Sequence, residues 1–417
     1  MALDGMKTHL DGILQAHVGP AGVTVDKDKL HVAGFVVVDR NDVLYSGAAG
    51  HLRFEPESEK YTVDSISWAA SMTKLITAVC LLQLVDKGLI SLDEDVRSHL
   101  PLVKEMQVLT APDETGKPPG LKENETPLTL RHLLTHTSGL AYPRLDPLLT
   151  EWTLATAGKL PSHSDLRDLQ SYATPLASAP GESWKYGTSY DWAGQLLEKV
   201  TGQRLGAYMG EHIFDPLGMA STSFRPADDV PGAAARMTAV GTRSSPGDGG
   251  DGDQTLGLLT GFSRDPKEGE IDSGGAGLFG SPADYARLLQ AVLREGRLLS
   301  REITDEMFRP QLDARTRAAL VKHAVDMPLM MMPELDAATT PIDHGLAGVL
   351  NTQDVPGKRR GGSMAWGGML NSRWWIDRET GIAGVFFTSV YPTGDPVVQK
   401  VYNELEEAVY SQLLKKQ

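Results

Sequence analysis

The sequence predicts an α/β protein of the α+β type: an antiparallel sheet flanked by N- and C-terminal helices, plus a mostly helical lobe. Strand-like runs lie near both ends of the chain. An amphipathic helical pattern precedes the first of them and another follows the last, while the long middle section leans helical. With 417 residues the chain exceeds what one simple core holds. Two lobes are therefore expected, residues 1–65 with 270–417 forming the sheet lobe and 66–269 the mainly helical one. Clefts form at such junctions, so any functional site is expected there.

Leu3, Met6, Leu10, Ile13 and Leu14 recur at helical spacing and predict a helix over residues 3–17. Strands at 32–38 and 43–49 flank Asp39-Arg40-Asn41-Asp42, the composition of a hairpin. A helix beginning at Ser71 is apolar almost all round, through Leu75, Ile76, Val79, Cys80, Leu82, Leu84 and Val85, and stops at Lys87-Gly88. Thr129 caps a helix carrying Leu130, Leu133 and Leu134 and ending at Ser138-Gly139. Further helices are expected over 191–200, closed by Thr201-Gly202, and over 205–214, broken at Asp215-Pro216. Residues 244–253 read as a flexible loop, without the spacing or closing glutamate of a calcium site. Strands return at 345–350, 373–377 and 382–389, the last two joined by Arg378-Glu379-Thr380-Gly381. Asp395-Pro396 then opens a terminal amphipathic helix through Val398, Val401, Leu405, Val409 and Leu413.

Composition removes several classes of function. A content of 41% hydrophobic and 23% charged residues is an ordinary globular balance and argues against disorder. The formal charge of −14 argues against a nucleic-acid partner, whose phosphates demand a basic face. The first residues lack a basic and then apolar leader pattern, and no run reaches the roughly eighteen apolar residues of a membrane span. One cysteine, Cys80, excludes an internal disulfide framework; a cytoplasmic protein is expected, with Cys80 a small hydrophobe inside the apolar helix.

Ser71-Met72-Thr73-Lys74 sets a hydroxyl and an amine three residues apart at the head of that helix, and residues i and i+3 share a face. Serine becomes a useful nucleophile when a positioned base takes its proton, and a lysine held out of water can be that base. The plainer reading makes Ser71 an N-cap and Lys74 a surface lysine. Two further segments bear on the choice. Tyr186, in Trp184-Lys185-Tyr186-Gly187, sits in loop-forming composition just before a helix, where a phenol beside a lysine can protonate a leaving group. Trp366-Gly367-Gly368-Met369 adjoins a strand pair, and paired glycines let a backbone approach a ligand and aim an N–H at a carbonyl oxygen. A β-bulge is the alternative there.

These segments, with Leu130-Arg131-His132-Leu133-Leu134-Thr135-His136-Thr137-Ser138-Gly139-Leu140, Ile213-Phe214-Asp215-Pro216-Leu217-Gly218-Met219 and Gly274-Gly275-Ala276-Gly277-Leu278, carry a resemblance. Over nearly its whole length the chain is similar to the serine β-lactamase/penicillin-binding-protein superfamily, in its class C-like branch. Within that branch it most resembles the family VIII carboxylesterases and the fungal lovastatin-type acyltransferases. The resemblance implies a β-lactamase/transpeptidase-like fold with the active site at the lobe junction. It further implies an acyl-enzyme on Ser71, with Lys74 activating the serine and Tyr186 completing the proton network. The oxyanion hole would be formed by the N–H of Ser71 with that of Gly368 or Met369. Trp366 and Gly367 are placed against the substrate, and Tyr142 resembles a tyrosine lining the acyl pocket. No cofactor and no metal are implied. The partners are a small-molecule ester or acyl donor and, where the acyl group is transferred, an alcohol acceptor; no nucleic acid and no membrane take part.

Two departures from β-lactamases stand out. Trp366-Gly367-Gly368 occupies the place of K-T-G and so lacks the lysine that pairs with a substrate carboxylate, and Tyr186-Gly187-Thr188 replaces Y-x-N. Both changes are usual in the esterase and acyltransferase branch that the chain resembles. A cation-free, tryptophan-rich site suits a neutral, bulky acyl or aryl ester, with hydrolysis the first expectation and transfer to the alcohol of a polyketide-like acceptor the second. Trp374, Trp375 and the methionine run within 327–332 are assigned to the core, with cleft lining as the alternative.

A Ser-His-Asp hydrolase is less well served. Gly361-Gly362-Ser363-Met364-Ala365 lacks the final glycine of a nucleophile elbow and does not lead into a helix. His132 and His136 lie one turn apart without an H-E-x-x-H motif and read as structural. A catalytically silent binding protein on the same fold is opposed by the joint presence of Ser71, Lys74 and Tyr186.

Overall fold

Seven strands form one antiparallel sheet: Val32–Asp39 (β1), Val43–Gly50 (β2), Ile342–His344 (β3), Val349–Asn351 (β4), Ser363–Gly367 (β5), Arg373–Asp377 (β6) and Ile382–Phe387 (β7). The computed structural model describes residues 2–413 except 23, 112–117, 163–164, 244–254, 261–269, 328–334 and 336. The loop expected at 244–253 and Met330, Met331 and Met332 lie outside the described residues. The strand order is β3-β4-β5-β6-β7-β1-β2, so strands from both ends of the chain share the sheet, with Phe35 of β1 opposite Phe386 of β7. The predicted hairpin is β1–β2, where Asp39 Oδ1 accepts from the N–H groups of Asn41 and Asp42 at 2.7 Å each.

The principal helices are Ala2–His17 (α1), Thr73–Asp86 (α2), Leu130–Leu134 (α3), Ser189–Thr201 (α4), Pro282–Leu293 (α5) and Pro396–Leu413 (α6). α1 packs on α6 and on β2. Phe386 meets Tyr402 of α6 at a ring separation of 6.0 Å, while its neighbour Phe387 meets Tyr285 of α5 at 6.1 Å. Successive strand residues point to opposite faces, so the terminal helices and α5 cover the two sides of the sheet. That double covering explains why β1 and β7 are buried along almost their whole length rather than alternating. Trp374 and Trp375 of β6 are wholly inside this core.

α2 is buried at every residue from Thr73 to Leu84 and packs against α4 and Leu205–Met209, as its all-round apolar sequence requires. The turn just before it, Ala70–Met72, packs against β5. α2 therefore carries its first turn to where the helical middle meets the sheet.

Several boundaries differ from expectation for local reasons. α3 stops at Leu134, not at Ser138-Gly139, because His136 takes φ +58 and turns the chain first. The helix starting at Leu205 does not break at Asp215-Pro216; it continues through a π turn, Gly210–Phe214, into Asp215–Leu217 and ends at Gly218 with φ +67. The widened turn relieves the i−4 conflict a proline creates in a regular helix. The run 345–350 is split by a turn in which Gly345 N–H donates to Gly348 O at 2.8 Å, giving the β3–β4 hairpin instead of one strand. The strand predicted over 382–389 ends at Phe387, and Val390–Tyr391 pairs in parallel with Gly241–Arg243 in a smaller sheet. β5 and α5 are absent from the sequence reading, although Ser281, whose Oγ accepts from Asp284 N–H, and Pro282 form a legible helix start.

Candidate active site

Ser71 lies in the 3-10 turn that feeds α2, not in the α-helix itself. Its neighbour Ala70 takes φ +47, a left-handed conformation costing an L-residue on the order of 1 kcal/mol or more. The surrounding packing holds it there: Ala70 clusters with Ile66, Trp68, Phe279 and Leu370. Met72 N–H donates to Ala69 O at 3.1 Å and Thr73 Oγ1 to Ala70 O at 2.7 Å. Tyr285 Oη, reaching from α5, donates to Met72 O at 2.8 Å. The serine is thus fixed by backbone it does not share with a regular helix.

Lys74 Nζ stands 3.0 Å from Ser71 Oγ, 3.1 Å from Tyr186 Oη and 2.8 Å from Gly275 O. Tyr186 Oη is 2.7 Å from Ser71 Oγ, so the three groups form a closed triangle. Lys74 is 1% exposed and no side chain caps α2, which removes the surface-lysine and N-cap readings. Behind the lysine, buried Asp191 accepts from Ser273 Oγ at 2.5 Å and from Gly275 N–H at 3.2 Å, holding the residue whose carbonyl receives Lys74.

Tyr186 precedes α4 and is stitched to the segment after α3. Tyr142 N–H donates to Tyr186 O at 3.1 Å, and Lys185 N–H to His136 O at 2.8 Å. A Cβ on Gly187 would sit 2.3 Å from Leu140 O, so only glycine permits this approach. The phenol ring lies 4.9 Å from His136, 5.4 Å from Tyr142 and 5.5 Å from Trp366. Burial, with the Lys74 charge and the nearby His344 and His323, pushes the His136 pKa well below its ordinary value, so this ring is a neutral member of an aromatic box. His132 instead closes a capping box: Thr129 Oγ1 accepts from His132 N–H, and His132 Nδ1 from Thr129 N–H. Ser363, of the near G-x-S-x-G, opens a strand and donates to Arg360 O at 2.7 Å.

β5 delivers Trp366 and Gly367 to the same place and ends in a turn. Gly368 N–H is committed to Ser372 O at 2.7 Å, and a Cβ on Gly368 would lie 2.5 Å from Ala69 O. Among the described residues the peptide N–H groups of Ser71 and Met369 donate to no acceptor.

A cavity of about 290 Å3 opens over these groups, and Ser71, Tyr142, Tyr186, Trp366, Gly367, Gly368 and Met369 all line it. Lys74 lies behind its wall, and Trp374 and Trp375 take no part. The expected cation-free site is corrected here, because Arg144 also lines the cavity. Tyr142-Pro143-Arg144-Leu145 is a turn, closed by Leu145 N–H to Tyr142 O at 2.9 Å. The proline at its second position was a legible signal. Gly275 carried no signal of its role, since its carbonyl acts and its side chain is absent.

A family model described as Beta-lactamase matches residues 14–408. The chain is 35% identical over 353 residues to a monacolin J acid methylbutanoyltransferase of Aspergillus terreus, covering 84% of this chain and 83% of the relative. It is 33% identical over 380 residues to a lovastatin esterase of Penicillium rubens, covering 87% and 89%. The solved structure of unliganded simvastatin synthase from Aspergillus terreus superposes with a TM-score of 0.83 at 30% identity, over 99% of this chain and 98% of that one. The chain belongs to the beta-lactamase family. It is an enzyme of that family's ester-hydrolysing and acyl-transferring group. Among the described residues no helix is long and apolar enough to cross a membrane.

Proposed function

We propose that the protein cleaves carboxylic esters through an acyl-enzyme on Ser71, with Lys74 and Tyr186 as the proton-handling pair. The observation that carries this is the closed triangle of Ser71 Oγ, Lys74 Nζ and Tyr186 Oη, with sides of 3.0, 3.1 and 2.7 Å, at the wall of an apolar cavity. Ser71 Oγ attacks the ester carbon and its proton passes to the Lys74–Tyr186 pair. The carbonyl oxygen becomes an oxyanion facing the free N–H groups of Ser71 and Met369. Gly368, whose own N–H is engaged, supplies the close approach that brings Met369 there. Collapse breaks the bond to the leaving alkoxide. That alkoxide takes a proton from Tyr186, which faces the cavity while Lys74 stands behind it. In the second half the incoming nucleophile gives a proton to the same pair and attacks the acyl carbon; the bond from that carbon to Ser71 Oγ breaks, and Ser71 Oγ takes a proton back from the pair.

Hydrolysis is the first reading, and transfer to an alcohol the second. Among the described residues lining the cavity there is no carboxylate or histidine to activate water separately. Water and an alcohol therefore compete for one base pair. In this reading Tyr142, Trp366 and Gly367 contact the acyl or alkoxy part. Ser71, Lys74 and Tyr186 come from the 66–269 lobe, while Gly368 and Met369 come from the sheet lobe. A cytoplasmic location is part of the same proposal, in keeping with a single buried free thiol. Incubation with an activated aryl ester, with and without a candidate alcohol, followed by mass spectrometry, tests it. The expected result is an acyl adduct on Ser71 that is lost in Ser71→Ala; folded protein that never acquires the adduct sinks the proposal.

A further inference from the structure

We infer that Arg144 anchors a carboxylate carried by the substrate, so that the enzyme selects anionic over neutral esters; this rests on the acyl-enzyme reading above. Arg144 is presented by a turn clamped at one end to Tyr186 and at the other to its neighbour Lys185. At one end Tyr142 N–H donates to Tyr186 O at 3.1 Å. At the other, Asp146 caps the helix Pro147–Ala157 and pairs with Lys185 Nζ at 2.5 Å, one residue from Tyr186. The guanidinium is also oriented. Its Nε donates to Pro161 O at 3.0 Å and Nη2 reaches toward Leu160 O at 3.5 Å, bridging two segments of the cavity rim.

Both of those acceptors are neutral carbonyls. Among the described residues Nη1 donates to no acceptor and no carboxylate pairs with Arg144. Asp165 feels its charge only through space, and that carboxylate is already occupied by Ser162 N–H at 2.7 Å and Ser162 Oγ at 2.8 Å. The other described residues lining the cavity are neutral, and Trp68, Tyr142, Trp366, Met369 and Leu166 make its walls largely apolar. Arg144 is exposed at the rim, so its pull on an anion comes from a guanidinium oriented by two carbonyls, with a spare N–H, beside apolar walls. A planar carboxylate matches the guanidinium fork.

The test compares kcat/KM for matched esters. One pair places the charge on the acyl part: para-nitrophenyl hydrogen glutarate against para-nitrophenyl pentanoate. The other places it on the alcohol part: the para-(carboxymethyl)phenyl ester of butanoic acid against its phenyl ester. The expected wild-type preference for the charged member is roughly tenfold in at least one pair, expressed mainly in KM. The arm that shows it assigns the carboxylate to the acyl or the alcohol side. Arg144→Gln brings the ratio close to one, Arg144→Lys retains part of it, and added salt weakens it. A wild-type ratio near one in both arms, or a ratio unchanged in Arg144→Gln, overturns the inference. Ser71-dependent turnover of the neutral esters leaves the acyl-enzyme reading standing in that case, whereas no Ser71-dependent turnover of any ester removes both.

Discussion

Gly368 approaches Ala69 so closely that a Cβ on it would stand 2.5 Å from the Ala69 carbonyl oxygen. This contact sets the distance between the end of β5 and the turn carrying Ser71. Gly368→Ala must push the two apart and so separate the Met369 N–H from Ser71. A fall in kcat of roughly 10²-fold is expected, the scale of losing one oxyanion donor. Met369→Ala keeps the backbone N–H and should retain activity within several-fold. Equal losses in the two variants would show that the methionine side chain, not its peptide, matters.

Tyr186→Phe removes the oxygen that touches both Ser71 Oγ and Lys74 Nζ while keeping the ring packed against His136, Tyr142 and Trp366. Acylation should slow by roughly 10²–10⁴-fold with little change in Tm. A burst of aryl leaving group at near wild-type rate would exclude Tyr186 from proton transfer.

Asp191 acts on the site through Gly275. Asp191→Ala leaves the Ser273 hydroxyl and the Gly275 N–H without their buried carboxylate, a loss of roughly 2–3 kcal/mol. It also loosens the carbonyl that receives Lys74, so kcat should fall with it. Asp191→Asn keeps an acceptor oxygen and should lose less of both. Urea unfolding alongside steady-state kinetics checks this; undiminished kcat in Asp191→Ala would disconnect the carboxylate from Lys74.

His31 and His344 are buried and neutral, burial lowering each from 6.5 to about 4. His344 Nδ1 lies 2.5 Å from Gly345 O and, in the neutral ring, donates to it. Between about pH 6.5 and about pH 4 the unfolded chain binds these protons and the folded chain does not, so stability falls on acidification through that window. Below it both states are protonated and the loss from these two groups stops. The loss is on the order of 3 kcal/mol per histidine. Urea midpoints measured across the window should drop steadily, and His344→Gln should flatten the slope. A pH-independent midpoint would show that these rings accept protons without unfolding.

Much of this was legible in the linear chain because its cause is local. The period of apolar residues marks α1, α2 and α6, and turn chemistry marks the β1–β2 hairpin. Asp39 illustrates the latter, since its carboxylate closes the turn with the two residues that follow it. β5 and the 345–348 turn were not legible, because a short buried strand and a glycine-rich turn leave no distinctive periodicity. The same limit explains the helix ends at His136 and Gly218, where a single left-handed residue decides.

The pairing of Ser71 with Lys74 follows from residue type and an i, i+3 spacing, which needs no distant information, whereas the part given to Tyr186 comes from the family resemblance. Their closure with the Tyr186 phenol into a triangle depends on how distant segments pack, while the engagement of Gly368 N–H by Ser372 that leaves Met369 free and the anchoring of Lys74 on Gly275 depend on backbone atoms, whose positions no side-chain code records. Arg144 is the sharpest case. Its charge is plain in the chain, but only the turn clamped on Tyr186 brings that charge to the cavity, because packing and not sequence distance determines which groups a substrate meets.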